Sequence, residues 1–505
     1  MNQGSLTQDS TDEEYETSIS VNILETEVHP LQQLCSRIKF SLPPSNEYVT
    51  ASDTYIHKLP FDILIEIFKY LPASDLLRNI PAVCQLWYNA SHVPTLRTSL
   101  SLRSQIPSEL ILRAILSRPM LRVLRCLALQ HAEYVLADAI KFCRMLTCLN
   151  IGFTALSERE TVILAQNLPP TLLHLNVEGL RTIEINFIST LVLKCPKLEA
   201  LNLSHCVSVC DSCIKIISEQ LHNLCRLNLD GVLWITNTGI LYLTDSEAIH
   251  TGKLTDIWLD GFELSNSGLN EFIIRLGNTT QRLLDFKNTL YPECDYHRFL
   301  GIQQLWISFC DNIEDTTIMS IANLSNLTSL TLRKTQQVTP NALSSLFVCQ
   351  TANNLNRKFI LKYLEYLDLS EAPGVNDTVV LDMCSCCGNR LHTLILNWCW
   401  EITDIGINEI IHVCCCLHQL SLIGNSTIHG TALSDIPVKV PNLVILNLTQ
   451  CGRISDNILE TLAFKMPNLY VFDYFGERVG GGLNDVCHFD SSRALVKVPI
   501  CSCSL

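Results

Sequence analysis

The sequence predicts an α/β solenoid, a curved stack of about fourteen strand–helix repeats, preceded by a small all-helical block. Three observations predict it. A leucine pattern returns at spacings of mostly 25 to 27 residues along most of the chain. Several copies pass from period-two alternation to a Ser or Thr followed by Asp or Asn, which suits a helix start. One apolar stretch, LPFDILIEIFKYLPASDLLRNIPAVCQLWYNAS at 59–91, stands in front of the array and does not repeat.

Bulk composition bounds the rest. At 505 residues the chain exceeds what one compact core supports, which fits several domains or a repeat array. Apolar residues make up 47%, so most of the chain is expected to fold. No run of eighteen apolar residues occurs, so no membrane span is expected. The opening MNQGSLTQDSTDEEYE lacks the basic and apolar regions of a secretory signal. The 24 cysteines are therefore expected as reduced thiols in the cytoplasm or nucleus. Net charge is −14, and residues 1–30 hold seven acids with no Lys or Arg. That places half of the imbalance in residues 1–30, within a segment, 1–52, expected to be solvated and disordered. A chain this acidic is poorly suited to the phosphate backbone of nucleic acid, which is bound by Lys and Arg.

LHTLILNWCWEITDIGI from Leu391, LVILNLTQCGRISDNI from Leu443 and LEALNLSHC from Leu198 share one template. It reads L-x-x-L-x-L-x-x-C/N, then I/V-S/T-D/N, the form of a leucine-rich repeat. Leading positions fall at Leu124, Leu146, Leu172, Leu198, Leu224, Leu254, Ile302, Leu327, Leu364, Leu391, Leu417, Leu443 and Leu469. The long gap from 254 to 302 predicts a degenerate unit, QRLLDFKNT, from Gln281. In each unit the L-x-L core reads as a short strand with its leucines inward. Ser or Thr followed by Asp, as in Thr403–Asp404 and Ser455–Asp456, suits a helix start: the hydroxyl caps a free N–H and the acid complements the dipole. One unit cannot bury its apolar face, whereas stacked units bury a continuous core.

The same template places most cysteines. Cys206, Cys310, Cys399 and Cys451 share one position, where Asn425, Thr335 or Ala372 substitute. Cys143, Cys195 and Cys414 each precede a leading leucine by three residues, at a helix end. Such recurrence is the mark of small core residues. The clusters Cys384, Cys386, Cys387 and Cys414 to Cys416 resemble metal ligands in density only. On a repeat helix neighbouring residues point in different directions, so no metal is expected.

In the block at 59, apolar residues occupy 59, 61, 63, 64, 65, 67, 68 and 71, leaving Asp62, Glu66 and Lys69 as a polar strip. A helix apolar nearly all round must be covered on more than one side. Pro72 ends it, Ser74 can cap a second short helix, and Pro81 suits the first turn of a third. Some forty residues cannot bury that much surface by themselves, so the block packs on the solenoid end or forms half of a partner's core. Leu59-Pro60-x-x-Ile63-Leu64-x-x-Ile67-Phe68-x-Tyr70-Leu71 resembles the opening of an F-box. Asp75-Leu76-Leu77-Arg78 and Val83-Cys84-x-x-Trp87 are similar to its second half, with Pro81 a mild departure. With the repeats behind it, the chain resembles the F-box/leucine-rich-repeat family over about 420 residues.

That resemblance implies the substrate receptor of an SCF-type ubiquitin ligase, with no chemistry of its own. The F-box would dock on the Skp adaptor, which joins a cullin. Residue match carries the adaptor contact to Leu59, Pro60, Ile63, Leu64, Ile67, Phe68, Leu71, Val83 and Trp87. A repeat scaffold or regulator acting outside a ligase is the alternative, and a redox or iron sensor built on the cysteine clusters is a third reading. Some plant relatives hold an inositol phosphate on a basic concave floor. Here Arg226, Lys287, Arg333 and Lys334 are scattered among acids, so no cofactor is expected.

Repeat geometry also predicts the concave face. Between the second and third leucines stand Asn150, Asn176, Asn202 and Asn228, a structural ladder. The same column continues with Trp258, Asp285 and Trp306, beside Asp230, Asp256, Asp260 and Phe309, with Trp398 further along. Exposed indoles beside carboxylates favour a basic protein substrate, so Asp230, Asp256, Trp258, Asp260, Trp306 and Phe309 form the expected patch. Breaks around 290–299 and 350–360 are expected as loops on one rim. In the tail, Cys487, His488, Cys501 and Cys503 have weak metal spacing, and SCSL misses a prenylation box by one place. The resulting division is 1–52 acidic segment, 53–100 F-box, 101–118 linker and first cap, 119–477 repeats, and 478–505 tail. No phosphate-binding loop, G-x-S-x-G elbow or H-E-x-x-H helix occurs.

Overall fold

A short strand cannot hide its leucines, so each unit of this chain lies against the next in one parallel sheet. The computed structural model describes residues 59–71, 75–76, 79–103, 108–129, 133–290, 300–350 and 357–479. The acidic segment, Pro72, Ser74, Leu77, Arg78, the break at 291–299 and the four tail residues Cys487, His488, Cys501 and Cys503 lie outside the described residues.

The sheet starts with β1 (Ser99–Arg103), β2 (Val123–Leu127), β3 (Cys148–Asn150), β4 (His174–Asn176) and β5 (Ala200–Asn202). It continues with β6 (Arg226–Leu229), β7 (Asp256–Asp260), β8 (Gln304–Ser308) and β9 (Ser329–Leu332). A side hairpin, β10 (Val348–Gln350) with β11 (Arg357–Phe359), interrupts the order. The sheet resumes with β12 (Tyr366–Asp368), β13 (Thr393–Ile395), β14 (Gln419–Ser421), β15 (Ile445–Asn447) and β16 (Tyr470–Phe472). These make 14 strands paired in chain order, with β9 against β12. Helices fill the returns. Packed helices need about 10 Å each and strands about 4.8 Å, so the strand wall is the inner, concave one. The leucines and isoleucines between the two layers form one continuous core from Leu100 to Val471.

The structure corrects the repeat reading in three places. The first unit is led by Leu121, because β2 pairs Leu124 with Leu149, the second leucine of its own unit. No strand forms at Gln281: one helix of 25 residues, Asn266–Leu290, occupies that gap. Leu269, Phe272, Ile273 and Leu276 keep a helical period there and are buried. Asp285 therefore leaves the concave column and accepts a bond from Gln281 Nε2 at 2.8 Å, one helical turn away. The third correction is the break at 350–360, which begins and ends in the β10–β11 hairpin.

Polar residues stitch the units together. Asp211, Asp315 and Asp377, each in the first turn of a helix, accept from the backbone N–H and hydroxyl of Thr236, Thr339 and Thr403 in the next unit at 2.6–2.9 Å. Asp404 accepts the N–H of Gly430 at 2.9 Å in the same way. The acid is thus spent on the neighbouring helix start, beyond any dipole effect. Thr403 caps its own helix through Ile405 N–H at 3.2 Å, whereas Ser455 makes no side-chain cap.

The recurring cysteines also bond between units. The thiols of Cys206, Cys399 and Cys451 donate to the carbonyls of Val177, Leu369 and Leu422 at 3.2, 3.2 and 3.0 Å. Asn425, at the same template position, donates to Leu396 O at 2.7 Å. Cys384 and Cys414 bring their sulfurs to 3.8 Å inside the core. Cys414 is the C-cap of its helix and Cys415 and Cys416 stand in the turn past it, Cys415 exposed, so this cluster lies beyond the helix and not on it.

At the front, α1 (Phe61–Phe68) and α2 (Gln85–Ser91) flank a 3-10 turn, Ile80–Ala82, that takes Pro81 out of α2. Leu64, Phe68, Leu76, Ile80 and Ala90 form a core of their own, separate from the solenoid's. Phe68 meets Trp87 edge-on, ring centres 5.2 Å apart. The block is closed on one side and runs directly into β1.

Candidate functional site

Two surfaces have side chains their own fold leaves uncovered. On α1, positions 64 and 68 lie one turn apart and face the block's core, so 63, 67 and 70 fall on the opposite side. Ile63, Ile67 and Tyr70 are 46%, 39% and 85% exposed, and Val83 on the following turn is exposed too. The nine residues matched to the adaptor contact therefore divide. Leu64 and Phe68 are buried, while Leu59, Leu71 and Trp87 pack partly against the same core. Pro60, Ile63, Ile67 and Val83 stay free for a partner. Phe61, Tyr70 and Tyr88 are exposed as well and were missed in the residue match; the 63, 67, 70 spacing carries the signal for Tyr70.

The concave wall is the second surface, and parallel register builds it column by column. Asn150, Asn176, Asn202 and Asn228 stand side by side. Each side-chain oxygen accepts the backbone N–H two residues on, at 2.8–3.1 Å, turning the chain out of its strand instead of bonding along the ladder. Trp258 and Trp306 are the next partners in that column. They are only 6% and 7% exposed, so the exposed indoles expected here are covered. Side chains of neighbouring units supply the cover. Trp306 stacks on Tyr366 at 6.1 Å and lies under the Arg333 guanidinium at 5.4 Å. Arg333 is itself held by Asp368 through Nε at 2.8 Å and Nη2 at 2.7 Å.

The carboxylates of the patch divide similarly. Asp230 accepts from Ser308 Oγ at 2.6 Å, and Ser308 accepts from Trp306 Nε1 at 3.3 Å. Asp260 accepts from Phe262 N–H at 2.9 Å, while its Oδ2 is buried with no hydrogen-bond partner. Burial first, then the charge of Asp230, raises the Asp260 carboxyl above its ordinary range. Burial pushes Asp256 up to about 6, against the opposing charge of Arg226, its register partner. Phe309 remains half exposed at the rim, with the Lys334 ammonium 4.3 Å from its ring centre. The Lys287 side chain lies outside what the structure describes.

An F-box-like family pattern matches residues 56–103. The DNA repair protein RAD7 of Saccharomyces cerevisiae is 27% identical over 300 residues, covering 57% of this chain and 52% of its own. The F-box/LRR-repeat protein 4 of Bos taurus is 27% identical over 213 residues, 41% of this chain and 32% of its own. An F-box-like domain thus stands in front of a leucine-rich-repeat solenoid. The chain spans about half the length of the first of these curated relatives and about a third of the second. A chain in the crystal structure of the Rad7 and Elc1 complex in yeast matches it with a TM-score of 0.55 at 16% identity, over 89% of this chain and 99% of that one, a likeness of fold. The F-box-like match takes in β1, so it runs without a break into the sheet. Among the described residues no helix is long and apolar enough to cross a membrane, and no three His, Cys, Asp or Glu groups are placed to hold a metal.

Proposed function

We propose that this F-box/leucine-rich-repeat protein is the substrate-recognition subunit of an SCF-type ubiquitin ligase. The outer stripe of α1 docks on a Skp-type adaptor, which joins a cullin, and the strand-lined side of the solenoid holds a protein substrate. One observation carries the reading: a non-repeating block with a closed core of its own leaves Ile63, Ile67, Tyr70 and Val83 in water. Each such side chain is worth about 1.5–3 kcal/mol when fully buried, although association costs consume much of the sum. The F-box-like match and the relatives support the same role. On the solenoid, Asp230, Asp256, Asp260 and Phe309 favour a basic segment of the substrate, with Trp258 and Trp306 as its floor.

The test is co-purification of the full chain with Skp adaptor and cullin, beside Ile67→Glu and Phe68→Ala. Wild type is expected to capture both proteins. Ile67→Glu is expected to lose them with its folding intact, because that side chain already faces water. Phe68→Ala is expected to lose them by melting the block. Full capture by Ile67→Glu would overturn the docking face. Adaptor without cullin would favour a regulator acting outside a ligase.

A further inference from the structure

Where the strand passes into its helix, one rim position has left-handed backbone in most units. Ala128, Phe153, His205, Phe309, Lys334, Glu371, Trp398 and Gln450 occupy it at φ between 51 and 61°, and Gly179, Gly231, Gly424 and Gly476 fill it in other units. The alternation has a steric cause. A Cβ on Gly179, Gly231 or Gly424 would come within 2.1–2.5 Å of the ring of Phe153, His205 or Trp398, so each ring lies on the bare glycine of the next unit. These rings are fixed in place before any partner arrives.

At one point the rim opens into a hollow of roughly 320 Å³, lined by Gln336, Glu371, Trp398 and Trp400. The indoles are 36% and 51% exposed, unlike the covered pair on the concave floor. Its backbone is held from behind: Glu371 N–H donates to Asn397 O and Trp398 N–H to Ile423 O, both at 2.7 Å, and Gln336 Nε2 donates to Glu371 O at 3.3 Å. Among the described residues no lysine or arginine lies over either indole, and Glu371 has no ion pair. Earlier in the same column, Phe309 already carries Lys334 on its ring. The rim supplies a cation to one aromatic and withholds it from the other two.

We propose that this hollow takes an arginine side chain of a bound protein, its guanidinium flat on an indole and paired with Glu371. Two electron-rich ring faces and a carboxylate ask for a cation. A planar guanidinium can stack and bond the acid at once, which an ammonium cannot. The net charge of −14 draws basic partners toward the surface in general, and the hollow selects among them. The inference rests on the reading of the solenoid as a substrate holder and gives that substrate one required residue.

Fluorescein-labelled Gly-Gly-Arg-Gly-Gly is the probe, with lysine and citrulline versions as controls, read by anisotropy against the full chain. Citrulline keeps the shape of arginine without the charge. The arginine peptide is expected to bind about three- to ten-fold tighter than the lysine one, and the citrulline peptide not measurably. Trp400→Ala and Glu371→Gln are expected to abolish the arginine preference while leaving adaptor capture intact. Equal binding of arginine and lysine peptides, unchanged in both variants, would reduce the effect to diffuse charge and overturn the proposal. So would no arginine binding up to millimolar peptide. Adaptor capture on the same preparation separates the claims: arginine selectivity without capture sinks the ligase reading and spares the hollow, and the reverse sinks the hollow alone.

Discussion

Gly424 illustrates how a single residue is fixed twice over. Its φ of +76° is strained for any L side chain, and an added Cβ would lie 2.3 Å from Cε3 of Trp398. Gly424→Ala should cost about 1–3 kcal/mol in urea unfolding, with part recovered when Trp398 is also changed to Ala. An additive double mutant would show that ring and glycine are independent. Asp256 gives a pH signature. Because burial holds its folded pKa near 6, above an ordinary carboxyl value of about 4, the folded state keeps the proton longer. The resulting stabilisation is complete below about pH 4 and is lost as pH rises through 6. Relative to Asp256→Asn, wild type should therefore weaken between pH 5 and pH 7.5 by up to about 2 kcal/mol, read from urea midpoints. A constant difference across that range would exclude the shift. Burial likewise pushes the thiols of Cys206 and Cys399 up to about 12, which keeps them protonated and unreactive. Maleimide at neutral pH should label exposed Cys415 and spare these two until the chain is denatured.

At the scale of elements, α1 shows why an apolar run cannot be divided by eye. Eight apolar positions crowd residues 59–71, yet only the helical period separates Leu64 and Phe68, which face the core, from Ile63 and Ile67, which face water. The helix starts tell a similar story. Thr403–Asp404 marks one of them correctly in the sequence, but the acid's partners, the backbone N–H groups of His429 and Gly430, lie in the next unit, 25 and 26 residues away. Asp377→Ala removes the acceptor for Thr403 N–H, Thr403 hydroxyl and Gly406 N–H together. A loss of about 1–3 kcal/mol is expected, since these are bonds to a charged group. A loss below a few tenths, measured by denaturation of the purified chain, would mean that water replaces the carboxylate at no cost.

Across the whole molecule, two separate cores imply two separable stabilities. Phe68 belongs to the smaller one, with five buried residues, and truncating a buried Phe costs about 3–5 kcal/mol. Phe68→Ala should open the F-box to limited proteolysis ahead of β1 while the repeats stay resistant. Cleavage spread evenly along the chain would show that the two parts unfold as one. The solenoid, by contrast, shares one core from end to end, so its units should lose structure with their neighbours instead of singly.

The sequence by itself determined the repeat, the strand and helix in most units, the inward leucines, the cysteine positions and the F-box, because each depends on local period and spacing. The long helix at 266–290 escaped because a leucine pair in QRLLDF reads alike as degenerate strand or continuing helix, and packing arbitrates. Only the tertiary structure decided which aromatics face solvent. Side chains of neighbouring units cover Trp258 and Trp306, while left-handed backbone and a neighbouring glycine hold Trp398 at the open rim. Exposure of that kind is a property of units 25 to 27 residues apart meeting in space, and no single stretch of chain contains it.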